Sequence, residues 1–225
     1  MVLVLVRHAE SIENATKYDG FYRDPRPYDT AAAIEISRHL VGLSPVGFGQ
    51  GRWLAGQLAP LVGPDLRVFT STYRRSIDTA VLAFPGLRPD RLEQCALLDE
   101  QDYGEATYMT KPELFRTFPH TEDDRRNCKH LWVPPGGGES LAGGVTRRAD
   151  DFIARARNLV DAGRDVVAIT HHTTLLALRA GLEARPVTEL VAEARIAKTS
   201  NATILRYEAA AGGAFTGPSI AGPAA

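Results

Sequence analysis

The chain has 225 residues, 44% of them hydrophobic and 24% charged, with a formal net charge of -1. That balance suits one soluble globular domain with a full core and argues against a basic nucleic-acid surface or a membrane-binding face. The apolar opening is too short for a signal core or a span and lacks a basic n-region, and Cys95 and Cys128 read as reduced thiols, so a cytoplasmic protein is expected.

Val2-Leu3-Val4-Leu5-Val6 predicts a buried strand that stops at Arg7-His8. Ligands of open α/β sheets bind at strand ends, which makes His8 a candidate for chemistry, and Arg7 beside it points to an anion, most simply phosphate. Residues 15–42 show no clear period and read as an insertion, with a short helix near 31–40. Ser44-Pro45 reads as a cap followed by a first-turn proline, opening a helix to about Leu58. Residues 66–70 form the second expected strand, and Ser71 or Thr72 can cap a helix to about Phe84. Arg74 and Arg75 then fall in its first turn, where the helix dipole favours anions. Arginines there are either solvated or facing a bound anion. Residues 92–98 read as a third strand, with Glu100 just past its end.

Residues 101–138 are irregular apart from a helix near 111–118, and Pro134-Pro135-Gly136-Gly137-Gly138 is a loop. Ser140 is placed to cap a long amphipathic helix ending at Asp161-Ala162, with Gly163 as the left-handed cap. Val166-Val167-Ala168-Ile169-Thr170 is another buried strand ending in histidine, His171-His172, followed by a helix to about Leu182. Residues 202–207 read as a last strand, and the Ala, Gly and Pro tail from Ala209 reads as disordered. The alternation predicts a single α/β domain over residues 1–208, a three-layer sandwich with a mostly parallel central sheet flanked by helices.

Other chemistries fit less well. The chain has no Gly-Lys-Ser/Thr phosphate loop, no serine-hydrolase elbow and no CxxC or HExxH zinc pattern. Adjacent side chains on a strand point to opposite faces, so His171 and His172 are poorly placed to chelate one metal together. Asp123-Asp124 and Asp150-Asp151 do not follow strands, which leaves an aspartyl-phosphate mechanism unsupported.

Taken together, the motifs resemble the histidine phosphatase superfamily, which includes phosphoglycerate mutases and many phosphatases. Arg7-His8-Ala9-Glu10-Ser11, with Asn14 beyond, is similar to the family's Arg-His-Gly-Glu-Ser…Asn. Thr70-Ser71-Thr72-Tyr73-Arg74-Arg75…Thr79-Ala80 resembles its Ser-Ser-Pro-Leu-x-Arg…Thr-Ala and aligns Arg75, not Arg74, with the phosphate-binding arginine. Leu98-Asp99-Glu100-Gln101-Asp102-Tyr103-Gly104 looks like its Leu-x-Glu-x-x-Phe/Tyr-Gly, Gly138-Glu139-Ser140 matches a helix opening, and Thr170-His171-His172 stands where the family has Ser-His-Gly. Ala9 and His172 each replace a family glycine.

The resemblance implies a phosphoglycerate mutase-like fold and a metal-independent phosphatase without cofactor. His8 would be the nucleophile and Glu100 the general acid and base. Arg7, Arg75 and a protonated His171 would neutralise the phosphate oxygens. Asn14, His172 and Thr173 would bind substrate. Asp102 is the rival acid to Glu100. The alternatives are phosphoglycerate mutase-type transfer, hinted at by Arg125-Arg126 before Pro134-Pro135, and a non-catalytic phosphate-binding module. The expected partner is a small phosphorylated metabolite, not nucleic acid or membrane, and a homodimer is left open.

Overall fold

The computed structural model describes residues 1–16, 38–210 and 214–223. Most of the 15–42 insertion therefore lies outside the described residues; Arg38–Leu40 form one turn of 3-10 helix. The core is a six-stranded sheet. In chain order its strands are β1 (Val2–Arg7), β2 (Leu66–Thr70), β3 (Leu92–Gln94), β4 (Asp165–Thr170), β5 (Ile204–Ala209) and β6 (Phe215–Ala221). Their spatial order is β3-β2-β4-β1-β5-β6. The first four neighbours are mutually parallel, while β5 runs antiparallel to both β1 and β6.

Strand alternation builds the layers. Leu3, Leu5, Val166 and Ala168 face one side, where they pack under α6 (Thr146–Asp161) and α7 (His172–Glu183). Val2, Val4, Val6, Val167 and Ile169 face the other, against α2 (Pro45–Leu58) and α3 (Arg74–Ala83). Strands covered on both faces need apolar residues at every position, which is why β1 and β4 read as unbroken apolar runs. Shorter helices complete the chain: α1 (Ile12–Ala15), α4 (Lys111–Thr117), α5 (Glu122–Asn127) and α8 (Val187–Ile196).

Three elements differ from the sequence expectation. The third strand stops at Gln94, because the Cys95 N–H closes the ladder on the Thr70 carbonyl at 2.7 Å and residues 96–98 turn into 3-10 helix. The helix capped by Ser140 opens with a π-turn over Leu141–Val145 before α6 begins. Residues 215–221 of the expected disordered tail form β6, paired with β5 from Ile204↔Ala221 to Ala209↔Phe215. The predicted left-handed end of α6 is present, with Gly163 at φ +78°.

Candidate active site

The parallel register sets Arg7 opposite Thr170, so β1 and β4 end side by side and their next residues, His8 and His171, meet. The two rings lie 5.0 Å apart at 61°. The His8 N–H donates to the Thr170 carbonyl at 2.8 Å, and the Asn201 side-chain amide donates to the His8 carbonyl at 2.9 Å. His8 Nδ1 lies 2.7 Å from the Ala9 carbonyl. A carbonyl only accepts, so Nδ1 carries the proton, and in the neutral imidazole the lone pair then lies on Nε2.

His171 is fully buried. Its Nε2 lies 2.6 Å from Ser71 Oγ, and its Nδ1 has no hydrogen-bond partner among the described residues. Burial, reinforced by the positive charge of Arg75, holds its pKa well below the usual histidine range. With the site empty this favours the neutral imidazole; the expectation of a protonated His171 concerns the site with phosphate bound.

Tyr73 precedes α3, so Arg74 and Arg75 are its first two residues, as the sequence suggested. They diverge completely. The Arg74 side chain is 61% exposed and pairs with Asp78 one turn on, whereas Arg75 is 3% exposed and enters the site. Its guanidinium lies 4.4 Å over the Tyr73 ring and donates to the Arg38 carbonyl at 3.1 Å. Burial lowers its pKa, opposed by Glu13, whose carboxylate is 3.9 Å away. Arg7 is buried and donates to the Thr199 carbonyl.

Glu100 accepts from the Gln101 N–H at 2.9 Å and from the Thr173 N–H at 3.2 Å. The latter comes from the first turn of α7, so that helix's positive end holds the carboxylate over the site. Asp102 turns away: it is exposed and accepts from the Gly104 N–H at 2.8 Å. Asn14 Oδ1 accepts from Asn201 at 3.1 Å.

These groups surround one cavity of about 200 Å³. Arg7, His8, Asn14, Arg75, Glu100, His172 and Thr173 all line it, whereas His171 is not among the described lining residues and meets the site through its ring contact with His8. Several lining residues escaped the sequence reading as site residues. Glu13 is buried 3.6 Å from Arg38. Burial opposes the Arg38 charge, but Glu13 and Glu100 outweigh it and raise its pKa. Tyr103, Lys111, Lys129 and Lys198 also line the cavity. Tyr103 carried a signal in the Glu100 motif; Arg38, Lys129 and Lys198 sit in unpatterned segments, and Lys111 opens a predicted helix with nothing there to mark a site.

Residues 3–214 match the model of the histidine phosphatase superfamily, branch 1. The chain is 30% identical over 185 residues to a 2,3-bisphosphoglycerate-dependent phosphoglycerate mutase of Methylorubrum populi, covering 79% of this chain and 76% of that one. The fold is similar to that of an alpha-ribazole phosphatase from Shigella flexneri, with a TM-score of 0.72, 20% identity and coverage of 96% and 94%. It is also similar to a mycobacterial glucosyl-3-phosphoglycerate phosphatase, with a TM-score of 0.64, 21% identity and coverage of 92% and 89%. The chain belongs to the histidine phosphatase superfamily.

Proposed function

We propose that the protein is a phosphomonoesterase that hydrolyses a small phosphorylated metabolite through a phosphohistidine on His8. The observation that carries this reading is the bond from His8 Nδ1 to the Ala9 carbonyl, which in the neutral imidazole leaves the lone pair on Nε2, in a cavity lined by Arg7 and Arg75. Nε2 attacks phosphorus as the ester P–O bond breaks, and Glu100 gives its proton to the departing alkoxide. A water then attacks the phosphohistidine, Glu100 takes its proton, and inorganic phosphate leaves. The charge that spreads over the phosphoryl oxygens is met by Arg7, Arg75 and the Asn14 amide, the work a metal ion does in other phosphoryl transfers. As the dianion enters, it favours the charged form of His171, so the imidazole gains a proton on binding.

The test is a rapid acid-free quench with labelled nitrophenyl phosphate. Label on His8 in the native protein and none in His8→Ala is the expected result; turnover without label on His8 would overturn the mechanism. A second reading is mutase-type transfer, in which a substrate hydroxyl replaces the water. The mutase relatives at 30% identity favour it. If a coupled assay shows phosphoglycerate isomerisation, primed by bisphosphoglycerate, outrunning release of inorganic phosphate, that reading replaces hydrolysis.

A further inference from the structure

The turn between α8 and β5 closes over the end of β1. The Arg7 N–H donates to the Thr203 carbonyl at 3.0 Å, and the Ala202 N–H returns to the Arg7 carbonyl at 3.0 Å and to the His8 carbonyl at 3.3 Å. The Arg7 guanidinium donates to the Thr199 carbonyl of the same turn. Ala202 is buried with φ +58°, in the left-handed region that favours glycine. A strained residue persists where its surroundings over-determine it, and here the bonds to Arg7 and His8 do so.

Asn201, the residue before it, turns its amide toward the site. Its Nδ2 donates to the His8 carbonyl at 2.9 Å and to Asn14 Oδ1 at 3.1 Å. The same Asn14 oxygen accepts the Ser11 N–H at 3.3 Å. Both amide orientations follow from groups whose roles are fixed. A backbone N–H only donates, so the Asn14 atom facing Ser11 is its oxygen. A carbonyl only accepts, so the Asn201 atom facing His8 is its nitrogen, which has two protons for two acceptors. With Oδ1 engaged in both bonds, Asn14 is left with its NH2 for the cavity that it lines. Unheld, the carboxamide can turn over and present its oxygen, which repels a phosphate oxygen.

We propose that Asn201 is a positioning residue for phosphate recognition: anchored on the His8 carbonyl, it fixes the Asn14 carboxamide with its N–H groups toward the anion. This deepens the reading that the ester phosphate sits at His8, and rests on it. Asn201 is not among the described residues that line the cavity, so its effect passes through Asn14.

The experiment is calorimetry with sulfate on the intact protein, run as a double-mutant cycle with Asn14. Asn201→Asp keeps the shape but cannot donate. Its carboxylate attracts the Asn14 NH2 and turns the carboxamide, so that Oδ1 faces the anion. The added charge weakens sulfate binding whether or not Asn14 is present, so the role is read from the ratio of the two losses. Asn201→Asp should weaken sulfate binding at least about tenfold more in the native background than in Asn14→Leu, the lower range of a hydrogen bond to a charged group. The neutral Asn201→Leu should show the same coupling at about threefold, the scale of a neutral hydrogen bond, and it carries the test if Asn201→Asp does not fold. Equal losses in the two backgrounds, or no loss in a variant that is folded by circular dichroism, would overturn the role. Labelling of His8 by nitrophenyl phosphate is read separately: no label alongside an intact coupling would end the phosphohistidine reading and leave the positioning role standing.

Discussion

Arg74 and Arg75 are neighbours in sequence with opposite fates, and that contrast is a direct test of the proposed phosphate site. Arg75 is packed against Tyr73 beside His8, while Arg74 is solvated and paired with Asp78. Arg75→Lys keeps the charge but loses the planar fork. It should lower kcat/KM for nitrophenyl phosphate by about tenfold or more, at about 1.4 kcal/mol per decade, whereas Arg74→Ala should stay within about twofold. Steady-state kinetics on the two variants decides between them. His171 offers a second test, through protons. Its depressed pKa means that it is neutral when the site is empty, and a bound dianion must raise that pKa. Sulfate, which does not itself titrate near neutrality, should therefore bind with proton uptake, and its affinity should fall as pH rises through the range of the bound imidazole. Calorimetry in two buffers of different ionisation enthalpy measures the uptake. His171→Asn should abolish it; unchanged uptake in that variant would assign the proton to another group.

The elements that deliver these residues depend on tight joints as well as strand ends. The first turn of α2 presses on the loop that follows His8. A Cβ on Gly47 would sit 2.0 Å from the Glu10 carbonyl oxygen, which already accepts the Ser44 N–H at 2.9 Å. Gly47→Ala must push that loop, and with it the Ala9 carbonyl that orients His8. The expected cost is about 1–3 kcal/mol of stability, the range for overpacking, with a fall in turnover larger than the unfolded fraction explains. Denaturation and kinetics on the same preparation check both. Most of the framework could be read from the sequence because its signals are local: Ser44-Pro45 opens α2, Gly163 ends α6, and uninterrupted apolar runs mark β1 and β4. The tail strand β6 could not. It contains Gly217 and Pro218, buries little, and exists because β5 offers an edge to pair with. The positions of His8 and His171 at strand ends and of Arg75 at a helix start were equally legible, because those signals are local too. The convergence of Arg38, Lys129 and Lys198 on one cavity was not, because no local period marks it; it is created by the way the irregular segments pack.

At the scale of the whole molecule, the sheet order places both histidine-bearing strands at the centre, with β2 and β3 on one side and β5 and β6 on the other. β1 is the first strand of the chain and β4 is reached only after the helices of residues 101–161, yet they are direct partners, with Leu3 opposite Val166. The same pairing is reinforced at its start by the Val2 N–H on Asp165, a sequence separation of 163. Contacts between such distant segments form late, because a long loop must close before they return any free energy. Catalytic competence is thus a property of the finished molecule and of no fragment. After dilution from denaturant, helical signal should recover first, and turnover should return only with the slowest major phase, once the two ends of the chain have found each other. Stopped-flow circular dichroism run beside a double-jump activity assay would follow the two clocks, and activity appearing ahead of that phase would mean that β1 and β4 dock early.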